Sequence, residues 1–534
     1  MATESETGTI QSFGQISRTK GTLFRYLLLA ATLFGLVVLS VLFVYVGLDA
    51  IQPTTAAPGW YLTFFLTFVL PVGAVSAYLW RSRPESGEFA LASVAIPVYG
   101  LMIGAVVAMV FIDIYPPLLL LSYAIGAAIP AAIAFLYARL RSDAGDAERL
   151  GLAAVVTVAS LATIPPLVQS IPVIPTDWIM MLLALGTPTA LGVGAYVARR
   201  YENERAGRAT ALVVFVAAAV GGVLAPLVGV DPMPGVVLTL STVVPTGLYV
   251  GTTLYERPAR RSGLLLPAAV FGGALVGAVL VNQLGFAGPE SWVDWQFLTS
   301  DGSTDPESAG LYPGLVGSVL LMLVVVALSF PLGVGAAVYL EEYAPNNRLT
   351  RLIQVNISNL AGVPSVVYGL LGLGVFINIV ALPTGSLIVG GMTLSLLILP
   401  IVIISTQEAL RSVPDDLRQA SYGMGATRWQ TIRNVVLPRA MPGILTGTIL
   451  ALGRAIGETA PLIMILAPNS GYVPSGLFSK ASAMPLMVYT WAGVYADPVF
   501  YQTAVAAGVV VMLVVLLAMN GAAIVLRNRY QTRG

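Results

Sequence analysis

The sequence predicts an all-α membrane protein, a polytopic helical bundle of about 14 transmembrane helices. Hydrophobic residues make up 57% of the 534 residues, charged residues only 10%, and the mean hydropathy is +0.85. A soluble domain carries about 25% charged residues, so this composition cannot build an ordinary water-exposed surface. Cysteine and histidine are both absent. Disulfides, thiolate or imidazole metal sites, and nucleophilic catalysis by Cys or by Ser with His are therefore excluded.

Apolar windows of about 20 residues, which is the length that crosses about 30 Å of hydrocarbon, define the predicted spans. The first nine lie near residues 26–48, 59–80, 90–112, 117–138, 150–169, 177–198, 209–229, 234–254 and 262–284. Five more lie near residues 313–340, 357–380, 386–406, 441–465 and 503–526. Proline and glycine occur within several of them, as transmembrane helices tolerate.

The basic residues orient these spans. Arginines fall in every second loop, and the loops between them are acidic. Among the lysines and arginines, only Lys480 falls in a predicted outside loop and only Arg454 falls inside a predicted span. By the positive-inside rule, both termini are predicted to be cytoplasmic in a multi-pass protein of the cell membrane. The net charge of +1 gives no indication of nucleic-acid binding.

The chain divides into three predicted regions. Residues 1–23 are polar and are expected to form a disordered cytoplasmic tail. Residues 24–261 hold about eight spans with short loops, and no motif there identifies their role. Residues 262–534 begin with the span near 262–284 and then carry a long acidic outside loop, polar residues within spans, and a polar segment.

A polar segment at residues 407–438 interrupts the apolar pattern and is predicted to lie in the cytoplasm. Ser412 to Asp415 resembles a helix start, Gly425 can end that helix, and Thr427 to Gln430 forms a second capping box. Two short helices are therefore expected, with Arg418, Arg428 and Arg433 keeping the polar side solvated. A surface connector is the plain interpretation, and a docking site for another protein is the functional one.

The spacing in this segment resembles the cytoplasmic loop of ABC importer permeases, which reads Glu-Ala-Ala, three residues, Gly, nine residues, Ile, one residue, Leu-Pro. The matching positions here are Gln419, Ala420, Ser421, Gly425, Val435, Leu437 and Pro438, with Ala426 beside the glycine. The resemblance implies a coupling helix that sits in a cleft of an ATPase subunit. Gln419 stands where the family has an acid, which removes a charge from that contact.

Four further phrases resemble the permease of the phosphate-specific ABC transporter, the PstA-like subunit. They are residues 312–317, 339–345, 356–369 and 453–461, the last reading Gly-Arg-Ala-Ile-Gly-Glu-Thr-Ala-Pro. The resemblance covers residues 262–534 and implies that the C-terminal six helices form a type I ABC importer permease fold. It implies a PstC-like permease subunit, a PstB-like ATPase dimer and a PstS-like phosphate-binding protein as partners, with inorganic phosphate as the substrate.

Arg454 is a candidate functional residue because of its position within a predicted span. It lies 15 residues past Arg439, roughly 22 Å along a helix, which places it deep in the bilayer. An arginine there is costly unless it faces a partner or a polar pathway. Glu458 follows at i+4, on the same helix face, so a buried ion pair that fixes helix packing is one interpretation. A phosphate path is the other, because guanidinium can hold phosphate oxygens through two hydrogen bonds. The family resemblance favours the path.

Other polar residues in the spans are weaker candidates. Asn359 and Ser365 flank Pro364 and glycines, as expected of a broken helix that lines a cavity, although ordinary interhelical hydrogen bonding explains them equally well. Glu341 and Glu342 are expected at the cytoplasmic interface.

The chain cannot hydrolyse ATP by a Walker A loop, since that loop needs Gly-Lys-Ser/Thr and the two lysines, Lys20 and Lys480, follow Thr19 and Ser479. No cofactor is expected in this chain, and ATP-Mg would be used by the partner ATPase. Transport of another oxyanion such as molybdate or sulfate, a secondary transporter, and a phosphate-signalling scaffold remain alternatives.

Overall fold

The computed structural model describes residues 18–531, except for residues 114–116, 141–145, 170–176, 467–472 and 496–497. Helices form nearly all the regular structure of these residues, together with two isolated β-bridges. The all-α membrane class predicted from the sequence is confirmed. The first helix already begins at Arg18, within the tail that was expected to end at residue 23.

The amino-terminal helices are α1 Arg18–Ile51, α2 Pro58–Ser82, α3 Gly87–Asp113, α4 Pro117–Leu140, α5 Asp146–Gln169, α6 Asp177–Arg200, α7 Glu204–Leu224, α8 Pro232–Glu256 and α9 Pro258–Leu284. The carboxy-terminal helices are α10 Trp295–Thr299, α11 Tyr312–Tyr343, α12 Arg348–Ala361, α13 Ser365–Ile379, α14 Leu387–Arg411, α15 Asp415–Gly423, α16 Arg428–Ile456, α17 Ala460–Ile465, α18 Met484–Tyr489 and α19 Ala506–Gln531.

Twelve helices within the described residues are long and apolar enough to cross a membrane. The pair α12 and α13, bent by 108° at a short break, gives a thirteenth span if it crosses as one unit. α4 qualifies only as a shorter apolar helix over Leu121–Pro130, so the fourteenth span stays a prediction.

An internal repeat organises α2 to α9, and the sequence analysis did not detect it. Pro71, Pro130, Pro188 and Pro245 recur about every 58 residues, each in the first helix of a helix pair. Three of these prolines follow a π-helical turn by two residues: Phe65–Val69, Leu182–Gly186 and Thr239–Val243. Proline lacks an N–H and its ring collides with the preceding turn of an α-helix, and a wider turn relieves both problems.

The first and fourth helix pairs of this repeat exchange partners. α4 packs on α5 and α6 packs on α7, as neighbours in sequence, whereas α9 packs on α2 and α3 packs on α8. Both exchanged contacts use a Gly-x-x-x-Gly motif. A Cβ at Gly104 would lie 2.1 Å from Ser241 Oγ, and a Cβ at Gly277 would lie 2.7 Å from Thr67 Oγ1. Ser241 and Thr67 each precede the repeat proline by four residues, so the two contacts are equivalent.

The ends of this eight-helix block meet at one place. Ala57 N donates to Ala287 O at 3.0 Å, and the Glu290 amide donates to Thr55 Oγ1 at 2.9 Å. The adjacent Trp292 amide donates to Ala50 O, the penultimate residue of α1. α1 packs along α19, while α9 packs within the block.

The carboxy-terminal bundle is built around α14, which packs against both α11 and α16 and is the most buried of the candidate spans. Its apolar side chains join two clusters. One includes Val325, Ile398 and Leu462, and the other, toward the polar segment, includes Leu410, Val436 and Ile444. The second cluster anchors the polar segment at residues 407–438 to the spans.

Candidate translocation site and coupling loop

The polar segment folds into two helices, as predicted. α15 ends in a Schellman motif, in which the Ala426 amide donates to Ser421 O at 3.2 Å and the Gly425 amide donates to Tyr422 O at 2.9 Å. Gly425 has a φ of 84°, a left-handed conformation that glycine adopts without steric cost. The predicted role of Gly425 in ending this helix is confirmed.

The second helix begins at the predicted capping box. Thr427 Oγ1 accepts from the Gln430 amide at 3.3 Å, and Gln430 Oε1 accepts from the Thr427 amide at 2.8 Å. The hydroxyls of Ser421 and Thr431 hydrogen-bond at 2.8 Å where both side chains are buried. This bond joins α15 to the start of α16 and fixes the angle between them.

The predicted start of α15 at Ser412 is wrong. Ser412 keeps helical backbone angles at the end of α14, and its hydroxyl donates to Ala409 O at 2.7 Å. α15 begins at Asp415, directly after Pro414, without a side-chain cap. Asp415 and Asp416 in the first turn of α15 stabilise this helix start in place of a side-chain cap, because negative charge there offsets the helix dipole.

The other residues of the predicted coupling motif lie on a segment that projects from the helical bundle. Gln419, Ala420 and Pro438 are exposed, and Leu437 is half-buried. Apolar side chains stand beside them: Met424 is 83% exposed and Trp429 is 55% exposed. Large apolar groups projecting from a polar turn are typical of a protein contact surface.

Arg418 is not solvated, contrary to the prediction. Its Nη2 donates to Glu342 Oε1 at 2.9 Å and to Leu410 O at 3.0 Å, and its Nη1 donates to Val413 O at 2.7 Å. The side chains of Arg418 and Glu342 are 15% and 8% exposed. Because Glu342 ends α11, this pair joins a membrane span to the projecting helix.

Neighbouring arginines behave differently. Arg411 pairs with Glu341 and with Glu408 on the exposed side of the same region. Arg428 and Arg433 are exposed as predicted, and the Arg428 guanidinium lies 5.3 Å from the centre of the Tyr343 ring. The sequence analysis expected Glu341 and Glu342 at the interface but missed both basic partners. The two adjacent acids at the end of an apolar run were the sequence feature that could have indicated ion pairs at this position.

Arg454 and Glu458 are brought together. Arg454 Nε donates to Glu458 Oε1 at 3.0 Å. The helix ends at Ile456, so Glu458 does not lie on α16 as predicted but in a tight turn, where its amide donates to Ala455 O. The Arg454 side chain is 53% exposed and that of Glu458 is 14% exposed. Exposed Leu450 and Gly457 continue the Arg454 face, which the described residues leave uncovered.

Asn359 and Ser365 flank the 108° break between α12 and α13, a geometry that fits either a broken span or a re-entrant loop, so the predicted broken helix stays a prediction. Asn359 is exposed and Ser365 is half-buried. No hydrogen bond joins either side chain to Arg454 within the described part of the chain. The two breaks are nevertheless neighbours, because α13 packs on α17 and a Cβ at Gly369 would lie 2.9 Å from Pro461 Cα.

Among the described residues, no group of three or more Asp, Glu, His or Cys could hold a metal ion. The described site is the Arg454 guanidinium beside the Glu458 carboxylate. It lies on an exposed face, near the break between α12 and α13 and the turn between α16 and α17. Such a face can bind an anion through charge-assisted hydrogen bonds.

Comparison with known proteins agrees with these features. Residues 329–531 match the family described as "Binding-protein-dependent transport system inner membrane component". The chain is 35% identical over 232 residues to the probable ABC transporter permease protein YqgI of Bacillus subtilis, covering 42% of this chain and 78% of that protein.

Two further relatives carry the name of a phosphate transport system. Identity to permease protein PstA 1 of Mycobacterium tuberculosis (strain CDC 1551 / Oshkosh) is 37%, covering 34% of this chain and 60% of that protein. Identity to permease protein PstC of Mesorhizobium japonicum is 30%, covering 47% of this chain and 84% of that protein. The chain therefore belongs to the family of binding-protein-dependent transport system inner membrane components and is a PstA-like ABC permease with additional membrane helices.

Proposed function

We propose that this chain is the permease subunit of an ATP-driven importer of inorganic phosphate. The observation that carries the proposal is the Arg454–Glu458 pair, held at 3.0 Å on a face that the chain leaves uncovered in a membrane-spanning bundle. An arginine in the bilayer is stable only against a partner or a polar path. The relatives named for phosphate transport support phosphate as the anion.

In this proposal, Arg454 offers a guanidinium to phosphate oxygens as phosphate crosses the membrane. Glu458 holds the Arg454 side chain in place and competes with the anion for its N–H groups. Asn359 and Ser365 would line the opposite wall, at the break between α12 and α13. A second permease subunit, PstC-like, would cover the exposed face and complete the path.

The projection formed by α15 and the start of α16 would face the cytoplasm and dock in a PstB-like ATPase. Met424 and Trp429 would supply the apolar contact, and Gln419 would supply a neutral one where relatives of this loop have an acid. ATP-Mg bound by the ATPase pair drives closure of that pair. The closure would move α15, and the Arg418–Glu342 pair would transmit the movement to α11. A PstS-like receptor would deliver phosphate on the outer side.

We further propose that the permease unit consists of α1 together with residues 288–534, and that the α2–α9 block is inserted between them. The sequence alone placed the boundary at residue 262. Support for the insertion comes from the hydrogen bond between Ala57 and Ala287, and from the packing of α1 on α19. Inserted units have adjacent ends, and eight spans return the chain to the same side of the membrane.

The function is tested by uptake of labelled phosphate into cells or vesicles that carry the complete complex. Arg454→Gln should abolish uptake while the ATPase and the second permease still co-purify. Arg454→Lys should restore uptake only in part, because lysine cannot donate two parallel hydrogen bonds. Arg81→Gln, an exposed arginine near the end of α2 and outside the proposed path, is the matched control and should transport. Normal uptake by Arg454→Gln would exclude the proposed path.

Two controls separate this function from the alternatives. Unlabelled phosphate should compete for uptake, whereas molybdate or sulfate should not. Met424→Asp should abolish co-purification of the ATPase and uptake together. Uptake that survives this variant and ATP depletion would indicate a secondary transporter.

The insertion is tested by cysteine cross-linking in the full-length protein, which has no native cysteine. Single cysteines at the outer end of α1, residues 45–50, should cross-link to cysteines at residues 501–505. Cysteines in α9 should not. Cross-linking from α9 instead would return the boundary to residue 262.

A further inference from the structure

The third and fourth helix pairs of the inserted block enclose a cavity that transport does not explain. Its volume is about 590 Å³, within the range of ligand pockets. α6, α7 and α8 line it with mostly apolar side chains, including Val193, Val214 and Leu248. From Val243 to Tyr255 the cavity follows α8 for about 18 Å. Val213 and Val243 are more than half exposed, so the cavity opens sideways toward the membrane.

Glycines create this space. Gly247 and Gly251 on α8 line the cavity, and a Cβ at either position would meet no atom within 4 Å. The Gly-x-x-x-Gly motifs that contain Gly104 and Gly277, on the second helices of their pairs, are filled by the side chains of a neighbouring helix. At Gly247 and Gly251 the same motif has no helix against it among the described residues.

One end of the cavity is lined by polar side chains, and arginines lie on the helix ends next to it. There Tyr201, Asn203 and Tyr255 line it, and Glu256 Oε1 accepts from Arg200 Nη2 at 2.8 Å and from the Tyr201 hydroxyl at 3.0 Å. The adjoining helix ends carry further arginines on this side: Arg199 at the end of α6, Arg205 at the start of α7, Arg257 between α8 and α9, and Arg260 and Arg261 at the start of α9. Glu204 forms an ion pair with Arg208, and Glu256 forms an ion pair with Arg200. Glu202 in the turn between α6 and α7 adds one negative charge, and the five arginines still leave the net charge at this end positive.

We propose that this cavity binds an anionic phospholipid, with one acyl chain along Gly247 and Gly251 and the phosphate headgroup among the arginines near Tyr201 and Tyr255. The sideways opening admits a molecule already in the bilayer. The apolar length suits an alkyl chain, and the charge at the polar end complements a phosphodiester. Basic pockets between transmembrane helices are a recognised setting for anionic headgroups. The proposal stands independently of phosphate transport.

Native mass spectrometry of the purified full-length protein, titrated with phosphatidylglycerol or phosphatidylcholine, tests it. The wild type should retain phosphatidylglycerol preferentially. Gly247→Leu with Gly251→Leu should remove this binding, because the leucine side chains would occupy the cavity and a Cβ at either position meets no atom within 4 Å. Gly192→Leu is the matched control, since a Cβ there also meets nothing within 4 Å and Gly192 does not line the cavity.

The headgroup contact is tested separately. Arg205→Gln with Arg257→Gln should weaken phosphatidylglycerol binding by about thirtyfold and leave phosphatidylcholine unchanged. Phosphatidylglycerol binding that is equal in the leucine variant and the wild type would overturn the site. Equal loss of both lipids in the arginine variant would overturn the anionic preference.

Discussion

Arg418 on α15 donates a hydrogen bond to Glu342 at the end of α11, across 2.9 Å, and both side chains are almost wholly buried. The two residues lie 76 positions apart in sequence. Their pair is the charged contact between the projecting helix and a membrane span. Arg418 also donates to two backbone carbonyls, Val413 and Leu410, so its N–H groups are well satisfied.

Loss of one partner of this pair should be costly. Glu342→Gln should lower the free energy of unfolding by about 1.5–3 kcal/mol, because it removes a charged hydrogen-bond partner and leaves Arg418 with only the exposed Asp415 carboxylate as an ionic partner. Glu341→Gln, at the partly exposed pair with Arg411, is the control and should cost less than about 1 kcal/mol. Thermal unfolding in detergent measures both. Replacing Arg418 and Glu342 together with Met should recover stability but weaken coupling of ATP hydrolysis to transport.

Gly425 should tolerate no side chain without strain. Gly425→Ala forces an L-residue into a left-handed conformation, which costs roughly 1–2 kcal/mol. A Cβ there meets no atom within 4 Å, so the effect is conformational rather than steric. Gly423→Ala has equal space in a helical conformation and should be neutral or stabilising. Equal melting temperatures for the two variants would contradict the role assigned to Gly425.

The hydroxyl pair of Ser421 and Thr431 allows a double-mutant cycle. Ser421→Ala should cost about 1 kcal/mol, since the buried Thr431 hydroxyl loses its side-chain partner. Ser421→Ala with Thr431→Val removes both polar groups and should be nearly neutral. Chemical or thermal unfolding of the four proteins gives the coupling energy. Additive effects would show that the two hydroxyls do not act together.

The exchanged packing of the inserted block should depend on its glycines. A Cβ at Gly100 would lie 2.4 Å from Ser241 O, so Gly100→Ala should destabilise the block by about 1–3 kcal/mol. Gly73→Ala, where a Cβ meets no atom within 4 Å, should have no such effect. If both variants melt alike, α3 does not pack on α8 in the membrane.

Local signals in the sequence predicted the coupling loop well. A capping box needs only Thr427 and Gln430, three residues apart, and a helix end needs only Gly425, so both could be located from neighbouring residues. The environment of Arg418 could not, because its partner Glu342 is distant in sequence. Ser412 was misplaced for a related reason: α14 continues to Arg411, and tertiary packing of that helix decides where Ser412 hydrogen-bonds.

The amino-terminal block shows a different limit. The spacing of Pro71, Pro130, Pro188 and Pro245 is visible in the sequence and would have indicated a repeat. The exchange between its first and fourth pairs is not visible, because every pair carries similar apolar helices. The Arg454–Glu458 contact was predicted from i+4 spacing, but the end of α16 at Ile456 depends on its neighbours.

The close approach of Gly369 to Pro461 has a mechanical consequence. A Cβ added at Gly369 would lie 2.9 Å from Pro461 Cα, so α13 and α17 have no free space between them at their crossing. We therefore expect a tilt of α13 to displace α17, so that the two breaks move together. A larger side chain at Gly369 would hinder this joint movement, even though residue 369 contacts neither phosphate nor the ATPase in the proposed transporter.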